Sequence, residues 1–419
     1  MSNKKSFYLL APYMADNHLT KDIGIIPYIM QKYVGYKAVF ATYKPPNGNV
    51  TWPTLQLYSE DIEIDYIEPS FEYHPEHVMD TVFSNNVYDC GNDLEQYIES
   101  NASKINVLFI FGFYQFYYNA INKYKELNPT GKVYLKLDAN IIWINNTILT
   151  DEFTKFLGNC DIISSETMVE YISQKWSVPI HYIPNGYYSL GNAENGLDKI
   201  FAFEEKEDII FTAARLGHPA KATDVLLEGF RLAVPHIPSS WRLVLAGSVE
   251  ESFKPYIEKF AQENPELNER IVFLGFTSDR EILNDWFIKA KIFVFPSAYE
   301  GYANVLSEAK VHGCYLIGSD IESNRDAASK HELRLNFIDD QYKLQNRYLE
   351  YGSLHTVGLS YELALRMIET CNDQTRLETV CYSTQRDASE HFDWVKLCKK
   401  IDSLLQETTP TLINNNLIY

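Results

Sequence analysis

The segment from Ser297 to Asp320, SAYEGYANVLSEAKVHGCYLIGSD, carries two glutamates eight positions apart, Glu300 and Glu308. The run before it, KIFVFPS, reads as a strand, and NVLSEAKVHG reads as a helix that Gly313 stops. The loop from Gly301 to Val305 then points free helix amides at the strand's carboxyl end, where they suit phosphate or another anion. Carboxylates beside an anion site are costly unless they meet hydroxyls or cations. Sugars supply hydroxyls, so a ligand with phosphate in the middle and a sugar at each end fits this layout. The plainer alternative is that Glu308 favours the helix dipole and Glu300 is a solvated loop charge. Spacing alone does not separate the two.

A second stretch bears on the choice. IIFTAARLGHPAKATDVLLEGF begins with a strand ending near Ala214, and Arg215 follows at once. Lys221 comes six positions later, just before the next helix. Two cations at a strand's carboxyl end make a phosphate clamp, with Arg able to bind bidentately and Lys acting as a point charge. Isolated Arg and Lys side chains usually face solvent. The shared domain with the glutamate pair is what favours the clamp here.

These residues must be positioned by a scaffold, and the chain is long enough to build one. Its 419 residues, 46% of them hydrophobic and 22% charged, predict two or three globular domains. The net charge of -19 argues against a nucleic-acid partner. The six cysteines, Cys90, Cys160, Cys314, Cys371, Cys381 and Cys398, include no CxxC pair and read as reduced, mostly buried thiols. HPEH (His74, His77) is a surface loop on this reading, since no third metal ligand accompanies it. The N-terminal run ends too early for a signal peptide, and Ile105–Tyr118 is too short to span a bilayer. The expectation is a soluble, cytoplasmic protein.

Short apolar runs alternate with helical patterns along the chain. SFYLLAP, KAVFATY, INVLFIFG, KVYLKLD, DIISSE and IHYIPNG read as buried strands, followed by IIFTAAR, WRLVLAGS, RIVFLGF, IFVFPS and CYLIGS. That alternation predicts an α/β fold with parallel, doubly wound sheets. Domains are placed at 1–190 and 205–385, with a crossover helix and tail over 386–419. SLGNAENGLDKIFAFEEKED (189–208) serves as the linker, and TPTLINNNLIY is an extended or frayed tail. Ligands bind such sheets outside the carboxyl ends of the strands, here in a cleft between facing domains.

At this point the residues resemble glycosyltransferase family 4, retaining nucleotide-sugar transferases of the two-Rossmann GT-B fold. The resemblance covers most of 206–330. It rests on ARLGHPAKATDVLLEGF, LVLAGS, VFLGFTSDREI, AKIFVFPSAYEGYANVLSEA and GCYLIGSD in the expected order, with the glutamates similar to the family's E-x7-E motif. HYIPNG resembles the segment closing the N-terminal domain, and HFDWVKLCKKIDSLL resembles the helix that crosses back to it.

The resemblance implies residue roles. Arg215 and Lys221 neutralise the donor diphosphate, Glu308 holds the ribose hydroxyls and Glu300 faces the transferred sugar. Amides of Gly301, Tyr302, Ala303, Asn304 and Val305 touch phosphate and sugar, and Phe276 and Thr277 lie where the backbone meets the base. Gly24 matches a glycine loop that approaches the diphosphate. Asp138, in KVYLKLDAN, occupies the neighbourhood where many members carry a catalytic-site histidine; as a structural residue it would cap the next turn. The donor is a UDP- or GDP-sugar, the acceptor a saccharide or lipid-linked saccharide of surface polysaccharide or glycoconjugate synthesis. No metal is required, since no DxD motif sits in a suitable loop. Peripheral contact with the inner membrane face is a further expectation, with Phe113–Leu127 as a surface for acceptor or membrane, or else a buried helix with an exposed lysine end. The rival readings are a non-catalytic partner subunit of another glycosyltransferase and a nucleotide-sugar epimerase on the same fold.

Overall fold

The computed structural model describes residues 4–46, 52–190, 197, 199–277, 279–330 and 347–407. The chain divides into two compact units. The first comprises residues 1–183, 188–195 and 394–419, the second 184–187 and 196–393. The tail TPTLINNNLIY lies outside the described residues, as does part of the 189–208 linker.

The first unit is built on a seven-stranded sheet. Its strands are β1 (Ser6–Leu10), β2 (Lys37–Tyr43), β3 (Glu63–Ile67), β4 (Val107–Phe111), β5 (Lys132–Lys136), β6 (Ile162–Ser165) and β7 (His181–Tyr182). Their order is β3-β2-β1-β4-β5-β6-β7, and every neighbouring pair is parallel. Both faces are covered, as successive side chains of β1 show. Tyr8 and Leu10 enter one core, while Phe7 and Leu9 enter the other. The C-terminal helix Trp394–Glu407 fills that second core with Trp394, Leu397, Ile401 and Leu405.

The second unit repeats the plan with six parallel strands. They are β8 (Glu207–Ala213), β9 (Arg242–Ala246), β10 (Ile271–Gly275), β11 (Ala290–Phe295), β12 (Tyr315–Ser319) and β13 (Gly352–His355), in the order β10-β9-β8-β11-β12-β13. Ile210 points into one core, Ile209 and Phe211 into the other. Both units are Rossmann-like. In each, the strand order reverses beside the first strand, which opens a crevice at the carboxyl ends of β1 and β4 in one unit and of β8 and β11 in the other. β3 and β13 are additional to the strands expected from sequence; both are sheet edges.

Candidate functional site

The reversal point of the second sheet brings together the loops that follow β8 and β11. Arg215 lies two residues past the end of β8. Gly217 then takes a φ of 84°, and a Cβ there would strike Phe253 at 2.3 Å, so only glycine lets the loop turn at this point. A short 3-10 turn, Pro219–Lys221, presents Lys221. The Ala298 amide donates to the Ala220 carbonyl at 2.8 Å, tying this loop to the one after β11. As a result the Lys221 ammonium donates to a carboxylate oxygen of Glu300. The same ammonium sits 5.2 Å from the centre of the Phe295 ring. Arg215 is more open, and its Nε meets Glu250 Oε1 at 2.8 Å.

The helix Asn304–Val311 follows. Its cap, Ala303, supplies no side-chain acceptor for the first-turn amides, in contrast to the Ser, Thr, Asp or Asn that usually occupies them. Tyr302 is buried, and its carbonyl accepts from Asn185 Nδ2 at 2.9 Å. Ser307 donates back to the Asn185 carbonyl. Both bonds fix the helix start. Gly301 and Val305 are partly buried on either side of this start.

Glu308 lies one turn into that helix and is only 6% exposed. One of its oxygens accepts from Arg280 Nη2. The other, Oε2, is buried and has no hydrogen-bond partner. The Glu308 charge is the main cause of a raised Arg280 pKa. Below Glu308, His312 Nδ1 donates to the Glu308 carbonyl at 2.7 Å, and burial pushes the imidazole pKa down to about 3. This ring is therefore neutral and structural. Phe276 is 75% exposed, and Thr277 Oγ1 accepts from the Asp279 amide just before Arg280 opens the next helix.

In the first unit, Gly24 lies in the first turn of the helix Asp22–Ile29. A Cβ on it would come within 2.6 Å of Leu19 Cα, so close packing on the preceding turn already requires glycine. Asp138 follows β5 with a φ of 45°. It does not cap the next turn: Asn140 does, accepting from the Trp143 amide at 3.0 Å. Water reaches Asp138, yet the crowded surroundings, reinforced by the Asp22 and Glu166 carboxylates, push its pKa upward. Beneath it Lys136 is fully buried between Glu166, to which it donates, and Asp22 at 3.4 Å. Burial alone would lower the Lys136 pKa, but the two carboxylates outweigh it and raise it.

The aromatics of Phe113–Leu127 are spent largely on the core. Phe116 and Tyr117 are buried, as are Ala120, Ile121 and Tyr124 on the same helix face. Lys125 pairs with Asp161 at 2.5 Å and Lys123 with Glu99 at 3.4 Å. The helix Tyr118–Leu127 thus turns one face to the core, and Lys123 and Lys125 are half-buried in ion pairs rather than forming an exposed lysine end.

Sequence reasoning missed four charged groups around these sites. Lys136 had a signal, because a lysine in a strand covered on both faces has to be paired. Asp22 and Glu166 follow once Lys136 is seen. Arg280 had none, since only the tertiary fold brings it to Glu308. None of the six cysteines forms a disulfide. No helix among the described residues is long and apolar enough to cross a membrane.

Residues 207–341 match the family described as glycosyl transferases group 1, which places a domain of that kind in the second unit. No curated protein matches the chain by sequence. Among solved structures, it is similar to a sucrose-phosphate synthase from Thermosynechococcus elongatus, at 15% identity and a TM-score of 0.63 over 96% of this chain and 98% of that one. A glycosyltransferase from Rickettsia africae gives 12% identity and 0.64 over 97% and 99%. Anabaena HepE in complex with UDP and glucose gives 14% and 0.60 over 96% and 99%. At these identities the structural likeness is one of fold, the two-Rossmann α/β fold described above. Family match and fold together support glycosyl transfer.

Proposed function

We propose that the protein is a retaining glycosyltransferase that moves a sugar from a nucleotide-sugar donor to a saccharide or lipid-linked acceptor. The observation that carries this reading is the convergence of Lys221, Glu300 and an uncapped helix start at the reversal point of the second sheet. A cation, a carboxylate and a helix start without a side-chain cap at one strand end suit a ligand with anionic and hydroxyl parts.

In this reading the donor diphosphate is the leaving group. Lys221 and Arg215 move from their carboxylate partners to the phosphate oxygens, and the amides of Tyr302 to Val305 complete the anion site. Charge that develops on the leaving group is then met by donors already in place, which is usually the largest source of rate enhancement in such sites. Glu300 positions the transferred sugar and is not a covalent nucleophile. The acceptor attacks on the face the diphosphate leaves, and the departing phosphate takes up the acceptor proton. Glu308 holds ribose hydroxyls, with Phe276 and Thr277 beside the base. Asp138 serves the acceptor-side chemistry and Gly24 donor binding. The cations replace a divalent metal.

UDP-sugars are the first donors to test, since HepE is seen with UDP and glucose, and GDP-sugars are the second. Calorimetry against a panel of both, with slow donor hydrolysis followed in the absence of acceptor, tests the reading. Binding with slow release of nucleoside diphosphate supports it. Binding without any hydrolysis or transfer indicates a non-catalytic partner subunit instead.

A further inference from the structure

Just past Asp138 the chain exposes apolar side chains to which the donor scheme gives no role. NIIWINNTILT, residues 140–150, has no charged side chain, in a chain where 22% of residues are charged. Four of its large apolar side chains are exposed within a few positions of one another: Ile142 at 48%, Trp143 at 45%, Ile148 at 78% and Leu149 at 46%. Single exposed apolar residues are ordinary, but a contiguous group of them marks a binding surface.

The group is held in shape by its surroundings. Ile144, in the same short helix Ile141–Asn146, is fully buried, and Asn140 caps the helix start. The Thr147 amide and hydroxyl both donate to the Trp143 carbonyl, at 3.1 and 2.8 Å, which closes the helix just before Ile148. The Trp143 ring meets the rings of Phe113 and Tyr114 edge to face, at 6.3 and 6.1 Å. Burial pushes the Tyr114 pKa up to about 12, and the Asp138 carboxylate adds to it, so Tyr114 borders that group. Apolar patch and acceptor-side carboxyl are therefore continuous through one ring.

A saccharide held at Asp138 thus has an apolar surface beside it. We propose that Ile142, Trp143, Ile148 and Leu149 form a subsite for an apolar chain carried by the acceptor. The inference rests on the transferase reading and deepens it: between a free saccharide and a lipid-linked one, it selects the second.

The flanks favour a single chain over a bilayer surface. A segment that docks on a membrane usually carries lysine or arginine beside its apolar residues. Here Asp138 precedes the stretch and Asp151 and Glu152 follow it, in a chain of net charge -19. An uncharged chain meets no repulsion from these acids.

Trp143 supplies the readout, being the one tryptophan of the six in the exposed class. Methyl and octyl glucosides and galactosides, the octyl forms below their micelle concentration, are titrated against the full chain while acrylamide quenching of tryptophan emission is followed. A fully buried methylene tightens binding about fourfold. A chain lying on an open patch is covered on one side only, so the octyl forms should bind at least about tenfold more tightly and shield Trp143. The signal should vanish in Trp143→Phe. In Ile148→Asn/Leu149→Asn, which alters exposed side chains and should keep the wild-type melting temperature, the preference should fall below about threefold. Equal binding of methyl and octyl forms by the wild type overturns the inference, as does a double variant that keeps the wild-type preference. Binding to phosphatidylcholine vesicles, or self-association, that the same substitutions abolish assigns the patch to a bilayer or to a second copy and also overturns it. Calorimetry with UDP and GDP reads donor binding separately. A wild type that takes up the octyl forms but neither nucleotide contradicts the donor reading instead, so the two failures are told apart.

Discussion

Lys221 and Glu300 are 79 positions apart and meet through an ammonium–carboxylate contact at the reversal point of the second sheet. Each is mostly shielded, with side-chain exposures of 22% and 15%. In the proposed scheme the diphosphate draws Lys221 away, and Glu300 is released toward the sugar.

The two glutamates should therefore separate kinetically. Contacts to the reacting sugar that strengthen in the transition state act on kcat, whereas contacts to the unreactive ribose act on binding. Glu300→Gln should lower kcat with little change in nucleoside diphosphate affinity. Glu308→Ala should weaken that affinity, with charge-assisted hydrogen bonds of about 1.5–3 kcal/mol each at stake. Calorimetry with steady-state rates decides; the reverse pattern means the roles are misassigned.

Metal independence is the next expectation. With Lys221 and Arg215 carrying the charge of the leaving group, activity should persist in excess EDTA. Complete loss that Mg²⁺ or Mn²⁺ restores would contradict this.

Lys136→Met should destabilise the first unit by about 3–5 kcal/mol, because it leaves the Glu166 and Asp22 carboxylates buried without their cation. Urea unfolding would report it. Adding Glu166→Gln should recover part of the loss; no recovery would mean the lysine acts through packing alone.

Lys136 also illustrates what the sequence makes legible. Eleven strands were readable as apolar runs, because a parallel sheet covered on both faces leaves continuous hydrophobic segments. β3 was not, for its EIDYI is a half-exposed edge with two acids. β13 was not, since GSLH has no apolar run although all four residues are buried. Glu300, Glu308, Arg215 and Lys221 were found because each lies near the end of a recognisable strand or the start of a helix. Arg280 sits at an equally ordinary helix start, and its significance comes from a partner 28 positions away.

His312 gives a pH signature. Its folded pKa is about 3, against an ordinary value of 6.5, and burial is the cause. The unfolded chain then binds the extra proton between those values, so its contribution to stability is complete above about pH 6.5 and is lost as pH falls toward 3. The slope from one such proton approaches about 1.4 kcal/mol per pH unit. Denaturation from pH 7 to 4 should show a shallower decline in His312→Asn than in the wild type. Parallel curves would show that the imidazole is not kept neutral.

The most direct test of the whole account is release of nucleoside diphosphate from a panel of nucleotide sugars, followed chromatographically for the wild type, Lys221→Ala and Arg215→Ala, with thermal melts as the control for folding. The account predicts that the wild type consumes at least one donor, and that both variants keep their melting temperature. Turnover at saturating donor should fall by roughly 10²–10³ when Lys221 is lost, and also strongly when Arg215 is lost. Undiminished turnover in either variant would contradict its diphosphate role, and a folded wild type that consumes no donor, with or without saccharide acceptors, would contradict the central claim.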